Sequence, residues 1–403
     1  MRRAARLLAL GLAAGSLFAS AALAQQPIKT EAAGAKAPTA PDPLRFGTPN
    51  AFLSFQPFFQ FEAGHGSSSP DSLIGDVDNF DGQLRRARLY ADFGYHDFGG
   101  RFTIDFAPTT GPDVIYAYLD YTLPDIATLQ VGQQDMAFSM QRLIGSRSAL
   151  FNENGQNQTL SRPGAVGVQV FSDAENYSLA GGVFGTDINV APFDQSVTVA
   201  GRATYAPINT DEAALHLGVA VSDTFDSSVP ISFSGDTGTP LFSKKTITSS
   251  AFTAVDSYLA TNFEASATVG RFTLQSEYTL GDMDDGIRDD SLLHGGYLGV
   301  LAFLTDDHRG YDGKYGIFKR VKPAAPVGKG GFGAVEIGGR LDYLNLADAG
   351  PKAGTEIAGT GILNWYLTDQ IRFSATDTYT AVTEGPDDGA DYNTAMLRVW
   401  FVY

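Results

Sequence analysis

From about residue 50 onward, apolar and polar residues alternate with a period of two, in segments that are each about ten residues long. The last segment shows this most clearly: Ala395, Leu397, Val399, Phe401 and Tyr403 share one face, and Thr394, Met396, Arg398 and Trp400 share the other. Successive side chains of a strand point to opposite sides of a sheet, so each segment predicts a strand with one apolar and one polar face. The alternation therefore restricts the chain to an all-β fold.

Charged residues within these segments fall almost entirely on the polar face. In residues 84–95, Arg86, Arg88 and Asp92 lie opposite Ala87 and its apolar neighbours, and Arg85 is the exception. A lipid-facing arginine near the middle of a bilayer costs about 2 to 4 kcal/mol, so this segregation is what a membrane barrel requires. A soluble β-sandwich also alternates, and the pattern alone leaves that alternative open.

The alternating segments predict sixteen strands, an even number as in bacterial barrels with both ends in the periplasm. Their ranges are 51–62, 84–95, 101–108, 113–122, 127–134, 161–171, 176–185, 195–206, 213–222, 257–268, 271–280, 292–304, 333–344, 356–367, 370–381 and 391–403. If the first strand runs outward, the long segments 135–160 and 223–256 become outer loops. The segment 305–332 is then an unusually long connection on the periplasmic side. We predict a transmembrane antiparallel β-barrel of about sixteen strands.

The N-terminal residues have the three-part pattern of a secretory signal. Arg2, Arg3 and Arg6 precede an apolar run from Leu7 to Phe18, and small residues lead to Ala24. The run is too short for a permanent helical span. We therefore expect a cleaved signal peptide at 1–24, a flexible periplasmic lead-in at 25–45 and the barrel domain at 46–403. Together with the terminal aromatic residue Tyr403, the signal favours a membrane barrel in the bacterial outer membrane over a soluble sandwich.

Composition and motifs exclude several classes of function. The net charge of −17 becomes −20 without the signal, which holds three arginines and no acids, so nucleic acid is not an expected partner. The chain has no cysteine, and neither G-x-S-x-G nor H-E-x-x-H occurs. The acidic runs 75–82 and 280–290 do not have the spacing of a calcium-binding loop. We predict no enzyme activity, catalytic residue, metal site or cofactor.

Six segments in order resemble the phosphate-selective porin O and P family. They are DNFDGQLRRARLYADFG at 78–94, VGQQDMAFSMQRLIGSRSALFNENG at 131–155, FTLQSEYTL at 272–280, LAFLTDDHRGYDGKYGIFKRVKP at 301–323, GAVEIGGRLDYLNLAD at 333–348 and GILNWYLTDQIRFSATDTY at 361–379. The resemblance implies a sixteen-stranded barrel, usually a homotrimer, with loops that fold inward to narrow each pore and arginines that line it.

The resemblance also assigns residues to the pore. Arg85 and Arg86 match paired arginines near the constriction, and 135–160 matches a third outer loop that folds into the lumen. Arg142 and Arg147 on that loop, and Lys319 and Arg320 on the long periplasmic turn, then face the narrow zone. The chain departs from the family pattern in two ways that argue against phosphate selectivity. Glu153, Asn154 and Gly155 stand where the family often has Glu-Arg-Ser, so one expected pore cation is missing. The chain also has only nine lysines, too few for a lysine-rich funnel that collects phosphate.

These arguments predict an outer-membrane porin for passive diffusion of small anionic or neutral solutes, with an anion or oxyanion preference. The predicted pore-lining and anion-binding residues are Arg85, Arg86, Arg88, Arg101, Arg142, Arg147, Lys319 and Arg320. The lumen-facing arginines form either a ladder for anions or a mixed wall neutralised by carboxylates. A general diffusion porin with weak or cation selectivity remains the main alternative, and a barrel enzyme or adhesin a further one. Outer-membrane lipid and lipopolysaccharide are the expected surroundings of a homotrimer.

Overall fold

The computed structural model describes residues 44–403 with gaps at 70–78, 191–194, 228, 243, 254, 287–290 and 352. The predicted signal peptide at 1–24 and all but the end of the predicted lead-in at 25–45 lie outside the described residues. In the described part of the chain, no helix is both long and apolar enough to span a membrane.

Sixteen strands of the described chain form the wall of a closed antiparallel barrel, as the alternation predicts. They are β2 Ala51–Ser68, β3 Asn79–Tyr95, β4 Phe98–Asp105, β5 Asp113–Leu123, β6 Ala127–Gln134, β7 Ala165–Asp173, β8 Tyr177–Phe184, β9 Val197–Asn209, β10 Ala213–Ser227, β11 Val255–Val269, β12 Phe272–Asp284, β13 Ser291–Phe303, β16 Ala334–Asn345, β17 Thr355–Tyr366, β18 Ile371–Glu384 and β19 Asp391–Val402. β19 pairs with β2 from Tyr392 opposite Ser68 to Val402 opposite Phe58, which closes the barrel.

Three shorter strands and four short helical segments complete the described structure. β1 (Arg45–Thr48) pairs with the start of β2, and β14 (Tyr311–Asp312) and β15 (Ile317–Phe318) form a small ribbon. Helix α1 is Met140–Ile144, and the 3-10 segments are Gln156–Leu160, Pro240–Phe242 and Ala347–Ala349.

The polar faces of the strands point into the barrel and the apolar faces point outward. On β19, Leu397 is 66% exposed whereas Arg398 is 1% exposed, and on β16, Leu341 is 59% exposed whereas Asp342 is 1% exposed. So large an exposed apolar surface is a liability in water but is the surface that a bilayer covers. The exposure of the two faces thus agrees with the alternation in the sequence.

Strand ends differ from the predicted ends where local chemistry intervenes. β7 begins at Ala165 rather than at residue 161, because Pro163 has no N–H to donate to a neighbouring strand. β2 continues to Ser68 and β10 to Ser227, several residues beyond their predicted ends. The barrel wall is therefore taller on these strands than the sequence pattern indicates.

Arg85, the exception to the alternation, lies at a β-bulge. Gln60 is opposite Arg86 whereas Phe61 is opposite Leu84, so the register skips Arg85. An extra residue in one strand re-aims side chains locally. Arg85 and Arg86 consequently both reach the same carboxylate, that of Glu153, on the inner side of the wall.

Candidate functional site

Loop L3, defined here as residues 135–164, is attached to the polar inner face of strands on the far side of the barrel from β6 and β7, which it joins. The Gln141 backbone N–H donates to Glu277 of β12 at 2.8 Å, and the Gln156 backbone N–H donates to Asp342 of β16 at 3.1 Å. Arg372 of β18 donates to the Ala149 carbonyl at 2.6 Å. These bonds tie L3 to inward-facing side chains from β12 to β18.

Turn T6, defined here as residues 304–333, packs against L3. Met140, Ile144, Leu150 and Phe151 of L3 share one buried apolar cluster with Tyr311 and Phe318 of T6. Arg202 of β9 donates to the Tyr315 carbonyl at 3.0 Å, and His216 of β10 is 2.7 Å from the Tyr311 hydroxyl. T6, the long connection that the sequence pattern predicts at 305–332, is therefore bound to the inner face of β9 and β10.

Loop L5, defined here as residues 228–254, also lies against the inner face, although the sequence predicts only an outer loop there. Ile231, Phe233 and Phe252 belong to a buried cluster that includes Leu160 of L3. The Thr394 hydroxyl of β19 donates to the Thr237 carbonyl at 2.8 Å. Large apolar residues in a loop expected to be solvated are the sequence signal for this packing.

A cavity of about 680 Å³ remains beside these segments and brings four predicted residues together. Its lining includes Arg88 of β3, Arg101 of β4, Arg147 of L3 and Arg320 of T6, together with Gln56, Tyr90, Tyr116 and Asp369. The wall and both inward-attached segments thus contribute cations to one space, and a carboxylate, Asp369, also borders it.

Two of the four arginines are paired with wall carboxylates. Arg88 Nε lies 2.7 Å from Asp105, and Arg101 binds Asp92 through two nitrogens at 2.6 and 3.0 Å. Charge-assisted pairs of this geometry are strong hydrogen bonds. Much of the charge of Arg88 and Arg101 is therefore compensated within the wall.

Arg147 and Arg320 have different surroundings. Arg147 donates to the Gln56 side-chain oxygen, and its guanidinium lies 4.1 Å from the centre of the Tyr90 ring. Among the described residues, no carboxylate forms a salt bridge with either arginine. Burial lowers the pKa of Arg147, and burial also lowers the pKa of Arg320 against the raising effect of Asp369. Both stay protonated at neutral pH, because an arginine pKa starts far above it.

Arg85 and Arg86 lie in a second cluster, next to the cavity. Glu153 of L3 accepts two hydrogen bonds from Arg85 at 3.1 Å each and lies 3.8 Å from Arg86. Arg398 of β19 also binds Glu153, as well as Glu62 of β2. Burial opposes ionisation of Glu153, but Arg85, Arg398 and Arg86 together hold the pKa of its carboxyl well below the usual range. The sequence places Arg398 on the polar face of its strand but does not predict that Arg85, Arg86 and Arg398 meet at Glu153.

The two remaining predicted residues lie elsewhere. Arg142 pairs with Asp135 of the same loop at 3.1 Å, and Lys319 is exposed with its backbone N–H bound to the Gly310 carbonyl at 2.8 Å. Neither contributes to the lining of the cavity. Arg202 of β9 and Arg340 of β16, which are buried on the inner face, are also paired, with Glu264 and Asp342, both at 2.7 Å.

The polar groups of the inner wall are of a few chemical kinds. Within the described ranges, no group of three or more His, Cys, Asp or Glu side chains is arranged to hold a metal ion. The inner wall consists instead of arginines, carboxylates, hydroxyls and amides, which suit the contact of hydrated solutes with a polar surface.

Comparison with known proteins decides the family. A family model described as "Phosphate-selective porin O and P" matches residues 62–403. The chain belongs to this family. An uncharacterised protein of Caulobacter vibrioides is 28% identical over 263 residues, which is 60% of this chain and 51% of that protein. The chain thus spans about half the length of the curated relative it matches.

Solved porin-like barrels show the same fold at low identity. An anion-selective porin from Comamonas acidovorans is 12% identical with a TM-score of 0.54, over 87% of this chain and all of that one. The outer-membrane channel DcaP of Acinetobacter baumannii is 11% identical with a TM-score of 0.53, over 89% of this chain and 99% of that one. The outer-membrane protein OmpT of Vibrio cholerae is 12% identical with a TM-score of 0.55, over 89% and 100%. Family and fold together place this member of the porin O and P family in the bacterial outer membrane.

Proposed function

We propose that the protein is a porin through which small solutes diffuse passively, with a preference for anions that includes oxyanions. The observation that carries the proposal is the convergence of Arg88, Arg101, Arg147 and Arg320 on one cavity of about 680 Å³. Planar guanidinium groups match the oxygens of carboxylates and phosphates in geometry, so such a lining favours oxyanions over cations.

The inward attachment of L3 and T6 supports a narrow passage at this cavity. Both segments contact wall strands through buried side chains and contact each other through one apolar cluster. We propose that they narrow the lumen, so that a diffusing solute passes Arg147 on L3 and Arg320 on T6. Arg85, Arg86, Arg142 and Lys319 do not line the cavity. Arg85 and Arg86 lie close to it in sequence, three and two residues before Arg88 on β3, and we propose that they act on the same passage more strongly than Arg142 and Lys319.

A general diffusion porin with weak or cation selectivity is the second candidate, and a specific observation favours it. Arg85, Arg86, Arg88, Arg101 and Arg142 all have a carboxylate partner, so the wall of the pore is largely neutralised. The whole chain is also strongly acidic. The two candidates differ in what they predict when Arg147 or Arg320 is removed: the first predicts a lower anion-to-cation permeability ratio, and the second predicts an unchanged ratio.

We propose that the signal at 1–24 directs export and is removed, and that the barrel assembles as a homotrimer among outer-membrane lipid and lipopolysaccharide. A trimer form of the Vibrio cholerae protein supports this assembly by analogy of fold. Since family and fold point to a channel, we propose no enzyme activity.

The test uses purified mature protein in a planar bilayer under a potassium chloride gradient. We expect the reversal potential to indicate anion selectivity, and Arg147→Gln and Arg320→Gln each to lower the anion-to-cation permeability ratio about two- to threefold, the combined effect on an anion and a cation of one charge at about 7 Å in water, screened by about 0.1 M salt. Lys329→Gln is the matched control, because Lys329 is an exposed cation of T6 outside the cavity. Unchanged ratios in both arginine variants would support weak selectivity instead.

A further inference from the structure

The second arginine cluster receives part of its counter-charge from a loop rather than from the wall. Arg85 and Arg86 belong to β3 and Arg398 to β19, whereas Glu153, which touches all three, belongs to L3. The wall itself supplies Glu62, which binds Arg398. Three cations therefore face two carboxylates, and one of these carboxylates is delivered by the inward-attached loop.

This cluster is partly exposed to solvent and lies close to the cavity, although its residues are not part of the cavity lining. The side chains of Arg85 and Glu153 are 24% and 18% exposed within the barrel. Arg86 is two residues from Arg88, about 7 Å along the strand, and Arg88 lines the cavity and donates to Ser146 of L3 at 3.0 Å. A change of charge at Glu153 therefore acts on ions that occupy the same passage.

We propose that Glu153 is a specificity-determining residue that limits the anion preference of the pore by neutralising Arg85, Arg86 and Arg398. The inference rests on the proposed function, because it concerns the selectivity of the same passage. Glu153 acts through the arginines that it holds, and it is therefore a positioning residue as well as a counter-charge. Its removal leaves three cations against Glu62 alone.

The first experiment compares wild type with Glu153→Gln in a planar bilayer under a potassium chloride gradient. The glutamine keeps the shape and removes one negative charge, so we expect the anion-to-cation permeability ratio to rise about two- to threefold. Asp388→Asn is the matched control: it removes one exposed carboxylate at the loop end, away from the cluster, and is expected to leave the ratio unchanged. Heat-modifiable migration in gels verifies that each variant is folded.

Glu153→Asp separates the charge from the exact shape of the side chain. We expect this variant to keep the wild-type permeability ratio, because the carboxylate remains within reach of the flexible arginines. If Glu153 has a purely structural role, Glu153→Asp and Glu153→Gln should change single-channel conductance to the same extent and leave the anion-to-cation permeability ratio unchanged. An unchanged ratio in Glu153→Gln overturns the inference, even where the wild-type pore is anion-selective as proposed.

A second pair of variants keeps the test valid if Glu153→Gln does not fold. Arg85→Gln and the double variant Arg85→Gln/Glu153→Gln differ in the Glu153 charge alone, and the double variant restores the wild-type charge balance of the cluster. We expect the double variant to have the wild-type anion-to-cation permeability ratio, and Arg85→Gln alone to have a lower ratio than wild type. Equal ratios in these two variants overturn the inference. A cation-selective wild type with a rise in Glu153→Gln instead contradicts the proposed function and leaves the role of Glu153 intact.

Discussion

At the scale of single residues, the sequence predicts which way an arginine faces but not which carboxylate it meets. The face of Arg88 or Arg398 follows from the period of the strand, which is a local property. Their partners depend on how distant segments fold: Arg398 and Glu153 are 245 residues apart in the chain, and Arg202 and Glu264 are 62 apart. The arginine ladder is therefore largely a mixed wall, and Arg147 and Arg320 are among the described arginines that form no salt bridge, as is Arg372 of β18, whose acceptors are amide, hydroxyl and carbonyl oxygens.

The depressed pKa of Glu153 leads to a prediction about pH. A carboxyl whose pKa is lowered by folding keeps its ion pairs above the ordinary value of about 4.3 and loses them as the pH falls through the depressed value. Since Arg85, Arg398 and Arg86 hold the pKa of Glu153 well below its usual range, the carboxylate stays charged at pH 5.

We therefore expect the difference in permeability ratio between wild type and Glu153→Gln to be the same at about pH 7 and about pH 5. Reversal potentials at the two pH values measure it. Comparing the variant with wild type at each pH cancels the titration of other lumen carboxylates. A difference that vanishes at the lower pH contradicts the assignment of a strongly paired, ionised Glu153.

At the scale of elements, all sixteen strands are predictable because each one shows its two faces within about ten residues. L3, L5 and T6 have no such period, and their positions depend on contacts with remote strands. The resemblance to the family suggests inward folding for L3 and T6 but says nothing of L5, whose apolar residues Ile231, Phe233 and Phe252 are buried against L3. The space left by three segments together determines where the cavity lies.

Gly299 of β13 provides a test of how L3 is seated. A Cβ atom at Gly299 would lie 2.8 Å from the Phe151 ring of L3, which is buried. Gly299→Val should displace this ring, change single-channel conductance and destabilise the barrel by about 1 to 3 kcal/mol, the usual cost of overpacking.

Gly359→Val is the matched control for this glycine. Gly359 lies in β17 on the outward face, and no atom lies within 4 Å of a Cβ built there. We expect its conductance and thermal transition to match those of wild type. Equal behaviour of the two variants would mean that L3 does not rest on β13 as the structure shows.

At the scale of the whole molecule, an apolar belt on the outside and a polar lumen on the inside follow from one alternating pattern. Closure of β19 onto β2 removes free strand edges, which a bilayer does not tolerate. The backbone N–H and C=O groups of the strands are thus hydrogen-bonded to neighbouring strands, and the charged side chains point toward the lumen.

Leu397 tests the lipid face, since it lies midway along β19 and is 66% exposed. Leu397→Arg should lower the stability of the folded barrel by about 2 to 4 kcal/mol, the cost of a lipid-facing arginine at the bilayer midplane. The folded fraction in lipid vesicles at increasing urea concentration measures this loss. Asp388→Arg, at the exposed loop end, is expected to unfold at the wild-type urea concentration, and an equally stable Leu397→Arg would argue against the assigned lipid face.

The central claim is that the lumen conducts small ions and prefers anions because Arg147 and Arg320 at the cavity form no salt bridge within the described residues. The most direct measurement is the reversal potential of the purified mature protein in a planar bilayer under a salt gradient, with phosphate added at increasing concentration. The claim predicts an anion-selective current that phosphate reduces as it occupies the cavity beside Arg147 and Arg320. A cation-selective current, or a current that phosphate leaves unchanged in a weakly selective pore, would contradict it.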